Sequence, residues 1–102
     1  MQCDVNVNSE DPTGQAPYLL DVQANLLSDL AVRIVVPLIP AGSFGRRAAR
    51  LHPVFTVGGQ ELVMATHLLS AVRQNSLGAC VASLRDQRDV IIGAIDVLWS
   101  GV

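Results

Sequence analysis

A chain of 102 residues is one domain, spanning residues 1–102. Half of its residues are apolar and only 16% are charged, which excludes a disordered chain. A net charge of −2 leaves no overall basic field to draw it to nucleic acid or anionic lipid. All seven cations are Arg, so chemistry that needs a lysine amine is excluded.

The opening MQCDVNVNSED has no basic n-region and no apolar h-region, so it does not read as a signal peptide. The longest apolar stretches, 34–41 and 90–99, are too short to span a bilayer. These features predict a cytoplasmic protein with no membrane contact. In a reducing compartment Cys3 and Cys80 are expected as buried thiols.

Residues 2–8 alternate. Cys3, Val5 and Val7 point one way, and Gln2, Asp4, Asn6 and Asn8 the other, which predicts a half-buried strand. Residues 9–17, SEDPTGQAP, form a turn-rich loop, and 18–23, YLLDVQ, a second strand. Residues 24–31 carry no clear period and read as an irregular loop that displays Leu26 and Leu27. Residues 33–39, RIVVPLI, are apolar on both faces and predict a well-covered strand, with an edge or bulge at Pro37. Residues 42–50 hold Arg46, Arg47 and Arg50 in a short helical turn or loop. Gly58-Gly59 between 53–57 and 60–66 marks a tight hairpin. Residues 67–82 have weak signals, with one strand expected near 72–81.

A terminal helix is the clearest element. Ser83 reads as its N-cap, with Asp86 and Asp89 in the positive first turn, and Gly101 ends it. Leu84, Ile91, Ala94, Ile95 and Leu98 form a stripe wide enough to face a core. Ile92 and Trp99 extend it on one side, Val90 and Val97 on the other. The apolar arc covers about two-thirds of the circumference, against roughly one-third for a helix with one partner. A second partner surface is therefore expected, from another copy of the chain or another protein. Trp99 either packs on the sheet or anchors that interface. Gly93, in the polar strip, costs about 1 kcal/mol against Ala. Strands first and one helix last predict a small β-barrel or sheet capped by a C-terminal helix.

No catalytic constellation stands out. His52 and His67 share no metal-ligand spacing with the cysteines, so no metal or cofactor is expected. Gly58-Gly59 is a turn, not a phosphate loop. Arg46, Arg47 and Arg50 read as a solvated face, or as a docking patch for an acidic partner.

The chain resembles the CcdB family of toxin proteins from end to end. The likeness runs through MQCDVNV, YLLDVQANLL, RIVVPLIPA, LHPVFTVGGQELVMAT and VASLRDQRDVIIGAIDVLWSGV, collinear at nearly equal length. The resemblance implies an SH3-like barrel of antiparallel strands with one terminal helix, a homodimer, and an antitoxin partner. It also implies a toxin that poisons DNA gyrase by binding the breakage–reunion subunit, without catalysis or direct nucleic-acid contact of its own. By the same resemblance the gyrase-contacting positions fall on Leu26, Leu27, Asp96, Trp99, Ser100, Gly101 and Val102. Where the family carries its contacting Trp this chain has Ser100, and where it carries Asn this chain has Asp96. The alternative is a CcdB-fold binding protein with altered or lost gyrase activity. The implied barrel is also used by toxins that cleave mRNA, but the net charge, few aromatics and absence of Lys argue against that chemistry.

Overall fold

The computed structural model describes residues 1–11 and 14–101. Among the described residues seven strands form one antiparallel sheet: β1 (Asp4–Asn8), β2 (Tyr18–Asp21), β3 (Val32–Pro40), β4 (Val54–Val57), β5 (Gln60–Met64), β6 (Ser70–Arg73) and β7 (Leu77–Ser83). A single helical turn, α1 (Ala41–Phe44), follows β3, and α2 (Arg88–Ser100) closes the chain. The sheet runs β4-β5-β3-β2-β1-β7 and curls into a half-barrel against α2. The predicted class, mainly antiparallel strands followed by one terminal helix, is the architecture found, with the barrel realised as a curled half-barrel sheet.

The nine-residue β3 is the spine. One edge pairs with β2 from Tyr18 opposite Leu38 to Asp21 opposite Val35. The other edge serves two strands in turn: β6 pairs with Val32 to Val35, and β5 with Leu38 to Pro40. Pro37 stands in the gap between them. Its carbonyl accepts from Ala65 N–H at 3.0 Å, so its ring nitrogen faces that same edge, where neither strand needs a donor. The expected discontinuity at Pro37 is this handover from one strand to the next.

The hairpin forms as expected. Gly58 and Gly59 both have positive φ, +58° and +81°, and Val57 pairs with Gln60. Residues 67–82 differ from expectation. They form two strands, β6 and β7, separated by a 3-10 turn at Gln74–Ser76. Short strands interrupted by such turns lack the sustained alternation that marks a strand in sequence.

The β1–β7 ladder slips twice, leaving extra residues on β7, which bends it. At one slip Gly78 approaches Val7 so closely that an added Cβ would lie 2.8 Å from the Val7 carbonyl oxygen. Val7 therefore turns partly to solvent, while Cys3 and Val5 are buried as predicted. Cys80 is exposed, contrary to expectation, because β7 pairs only with β1 and forms the sheet margin.

Phe55, Leu20, Leu38, Leu62, Met64 and Val36 fill the concave face, and Leu84, Ile91 and Ala94 close it from the helix side. Two helix expectations need correction. Ser83 ends β7 instead of capping the helix; a 3-10 turn, Arg85–Gln87, intervenes, and α2 starts after Gln87 without a side-chain cap. The Leu84 N–H bonds the Cys3 carbonyl at 2.8 Å, so the chain is still completing sheet contacts there. The core stripe also ends early. Ile91 and Ala94 are buried and Ile95 partly so, but Leu98 is 37% exposed because the helix outruns the sheet. Gly101 does terminate the helix, with φ +75° and its N–H on the Val97 carbonyl.

The two unusual glycines predict opposite outcomes. Gly93→Ala, whose new Cβ meets nothing within 4 Å, should stabilise the fold by up to about 1 kcal/mol. Gly78→Ala should destabilise it by about 1–3 kcal/mol, because backbone must separate. Urea unfolding of both variants beside the parent chain measures this.

Candidate functional site

The segment after β2 is not irregular. Asp21 and Arg33 form a buried ion pair across β2 and β3, with Asp21 Oδ2 accepting Arg33 Nε at 3.0 Å and Nη2 at 2.8 Å. Asp21 Oδ1 accepts the Gln23 N–H. The Gln23 side chain accepts from Ile34 N–H at 3.0 Å and donates to the Leu27 carbonyl at 2.8 Å. These bonds hold a 3-10 turn, Asn25–Leu27, that carries Leu26 at 92% exposure and Leu27 at 47%. The sequence expectation that this segment displays both leucines holds; the network that fixes them was not read from it.

The end of α2 forms a second surface. Trp99 is 73% exposed, so the reading in which it packs on the sheet is overturned. Asp96 is exposed and Ser100 folds back, its hydroxyl donating to the Asp96 carbonyl one turn earlier. Gly101 closes the helix; Val102 lies outside the described residues. The leucine turn and the helix end are separate. Gln2 bonds Asn25 on one side and Arg88 on the other, so the turn adjoins the first turn of α2. The Trp99 end lies roughly 17 Å further along the helix axis.

Arg46, Arg47 and Arg50 do not form one patch. Arg47 donates to the His52 carbonyl at 2.8 Å and braces its own loop. Arg50 borders a shallow groove of about 290 Å³ with Pro53, Val90 and Gly93. Arg46 lines a larger concavity of about 530 Å³ with Phe44, His52, His67 and Leu68.

His52 and His67, read as isolated, meet there, with Nε2 of His52 and Nδ1 of His67 2.9 Å apart. His52 Nδ1 accepts the Ala48 N–H at 3.0 Å. Hydrogen-bond logic then assigns the His52 proton to Nε2, which donates to His67 Nδ1. The hairpin supplied the missing signal. It pairs Val54 with Val63, so continuing outward brings position 52 opposite 65, within one side chain of 67. Cys3 is unsuited to nucleophilic work: burial pushes its thiol up despite nearby Arg88 and Arg85.

Asp21 also meets the Met1 ammonium at 3.3 Å, so it is removal of Asp21 that strands its buried partner Arg33. Asp21→Leu should cost about 3–5 kcal/mol in urea unfolding, and adding Arg33→Met should recover much of it. His52 gives a pH dependence. Burial, then His67, then Arg47, hold its proton affinity below the ordinary value of 6.5. The unfolded chain therefore takes the proton first, and stability should fall as pH drops below that value. Unfolding midpoints across this range should fall less steeply in His52→Asn.

Against known proteins, the model of the CcdB family, described as CcdB protein, matches residues 2–101. A solved endoribonuclease in complex with its cognate antitoxin, from Mycobacterial species, shares the fold at a TM-score of 0.77 and 16% identity. That match covers 98% of this chain and 94% of the other. With the family pattern running from the first strand to the Gly101 cap, the chain belongs to the CcdB family.

Proposed function

We propose that this chain is the toxin of a toxin–antitoxin module, acting in the cytoplasm as a homodimer that binds the breakage–reunion subunit of DNA gyrase and traps it on cleaved DNA. A cognate antitoxin neutralises it, and the chain contributes no catalysis of its own. One observation carries this reading: a CcdB-family fold holds out Trp99 at the end of its terminal helix, where packing would ordinarily bury it. Leaving such a side chain in water forgoes about 1.5–3 kcal/mol of burial, which a partner surface recovers. The fold match to an endoribonuclease solved with its cognate antitoxin supports the antitoxin partner.

Leu26, Leu27, Asp96, Trp99, Ser100, Gly101 and Val102 form the proposed gyrase contact set, and Arg46, Arg47 and Arg50 the antitoxin side. A second reading is favoured by Ser100 and Asp96. The Ser100 hydroxyl is spent inside the helix, and the Asp96 carboxylate would have to be desolvated in a contact. On that reading the chain keeps the binding fold with weakened or redirected gyrase activity.

Gyrase supercoiling with purified protein, scored for trapped cleavage complexes, tests the first reading. Inhibition is expected at micromolar protein, and Trp99→Ala should weaken it about tenfold or more. Ser100→Trp with Asp96→Asn should strengthen it. No inhibition by the parent chain while a known gyrase poison works alongside would leave only the second reading, and RNA cleavage by the purified chain would overturn both.

A further inference from the structure

We infer that the concavity between the α1–β4 connection and the turn after β5 is the seat for a carboxylate-bearing peptide segment of the neutralising partner, with Arg46 and the outer ring N–H of His67 as its donors. This rests on the reading above that a second protein neutralises the chain; it adds where and by what chemistry that protein is held.

The His52–His67 arrangement gives the site a fixed donor. His52 is committed at both ring nitrogens, accepting from Ala48 and donating to His67. His67 Nδ1 is thereby an acceptor, so its own proton sits on Nε2, the edge of the ring left free. His67 is exposed and lines the concavity. It therefore offers an N–H and no lone pair, and the exposed Arg46 guanidinium is also donor-only. Gln15 and Ser43 add neutral groups that can donate or accept, and among the described residues no carboxylate lines the concavity, so an anionic oxygen finds two dedicated donors and no opposing charge.

Charge points the same way. The chain as a whole is acidic, yet no Asp or Glu occurs between Asp29 and Glu61, a stretch that holds Arg46, Arg47 and Arg50. Among the described residues none of the three makes an ion pair. Asp11, four residues before the lining Gln15, is occupied by the Ala16 N–H at 3.2 Å.

The apolar lining selects peptide over nucleic acid. Ile39, Phe44 and Leu68 share the concavity with the donors, and Leu68 is 47% exposed. Phe44 makes a T-shaped contact with the His52 ring at 4.9 Å. A volume of about 530 Å³ takes one or two side chains, such as an acidic residue beside an aliphatic or aromatic one.

The test is fluorescence anisotropy of the full chain with a labelled octapeptide, Glu-Leu-Phe-Glu-Glu-Leu-Phe-Glu, and a copy with Gln in place of each Glu. The acidic peptide should bind and the Gln copy should bind about tenfold more weakly. Arg46→Gln and His67→Phe, both at exposed positions, should each weaken the acidic peptide about tenfold. Arg73→Gln removes the same charge at an exposed position outside the concavity and should change binding less than about twofold. Equal binding of the two peptides, an equal effect of Arg73→Gln, or tighter binding of a single-stranded RNA dodecamer overturns the inference. So does failure of the acidic peptide to bind the parent chain, which needs no variant to fold. Gyrase trapping by the same preparation is read separately, so the seat can fail while the toxin reading stands.

Discussion

The buried Asp21–Arg33 pair is the constraint on which the rest of this structure leans. Two charges removed from water cost several kcal/mol each unless the geometry repays it and the remaining lone pairs and protons are used. Here one carboxylate oxygen takes two Arg33 N–H groups and the other takes the Gln23 amide. Gln23 then ties β3 to the carbonyl of Leu27. The Asp-Val-Gln sequence is thus a device for leaving β2 in one direction only. Its product is a turn that exposes two leucines without needing them for its own stability. A preorganised apolar display of that kind loses less conformational freedom when a partner covers it.

β3 transmits this order to the opposite end of the sheet. Its free edge is shared by β6 and β5, and Pro37 sits at the handover, where its missing N–H leaves no ladder bond unmade. Two strands that diverge from one spine curl the sheet and open a concave face for α2. The helix meets that face through Ile91, Ala94 and the partly buried Ile95, with Leu84 just before it, and its last turn, with Leu98 and Trp99, extends beyond the sheet. The excess apolar arc seen in the sequence and the exposure of Trp99 have this one cause.

Elements governed by local chemistry could be read directly from the residues. Alternation placed β1, a Gly-Gly pair with positive φ placed the hairpin, and Gly101 marked the end of α2. What escaped depended on distant pairing. Ser83 has the residue type of an N-cap, but the sheet claims it first, as the outermost pairing of β7 with Asp4. Cys80 has the composition of a buried thiol, but only the strand order reveals that β7 is marginal. The two histidines are 15 positions apart and become neighbours only when the hairpin register is carried past its paired residues. The three arginines look like one cluster in sequence, yet one braces its own loop through the His52 carbonyl and the other two line different hollows. Whole-chain likeness to the CcdB family supplied the toxin reading that no single stretch supports.

One short turn joins the two chemically different faces. In the 3-10 turn Thr66–Leu68, Thr66 is buried while His67 and Leu68 face the donor-lined concavity, and α2 packs against the same turn. The helix end exposes Trp99 beside the Asp96 carboxylate and the concavity exposes the Arg46 guanidinium, so the two surfaces differ in character and share no side chain. A ligand that shifts this turn also shifts what α2 rests on. By linkage, any effect of that ligand on a partner at the helix must be returned in equal measure by the partner on the ligand. Neutralisation of the helix surface through occupation of the concavity would then require no overlap of the two contacts, only a difference in the position of Thr66–Leu68 between the free and occupied chain.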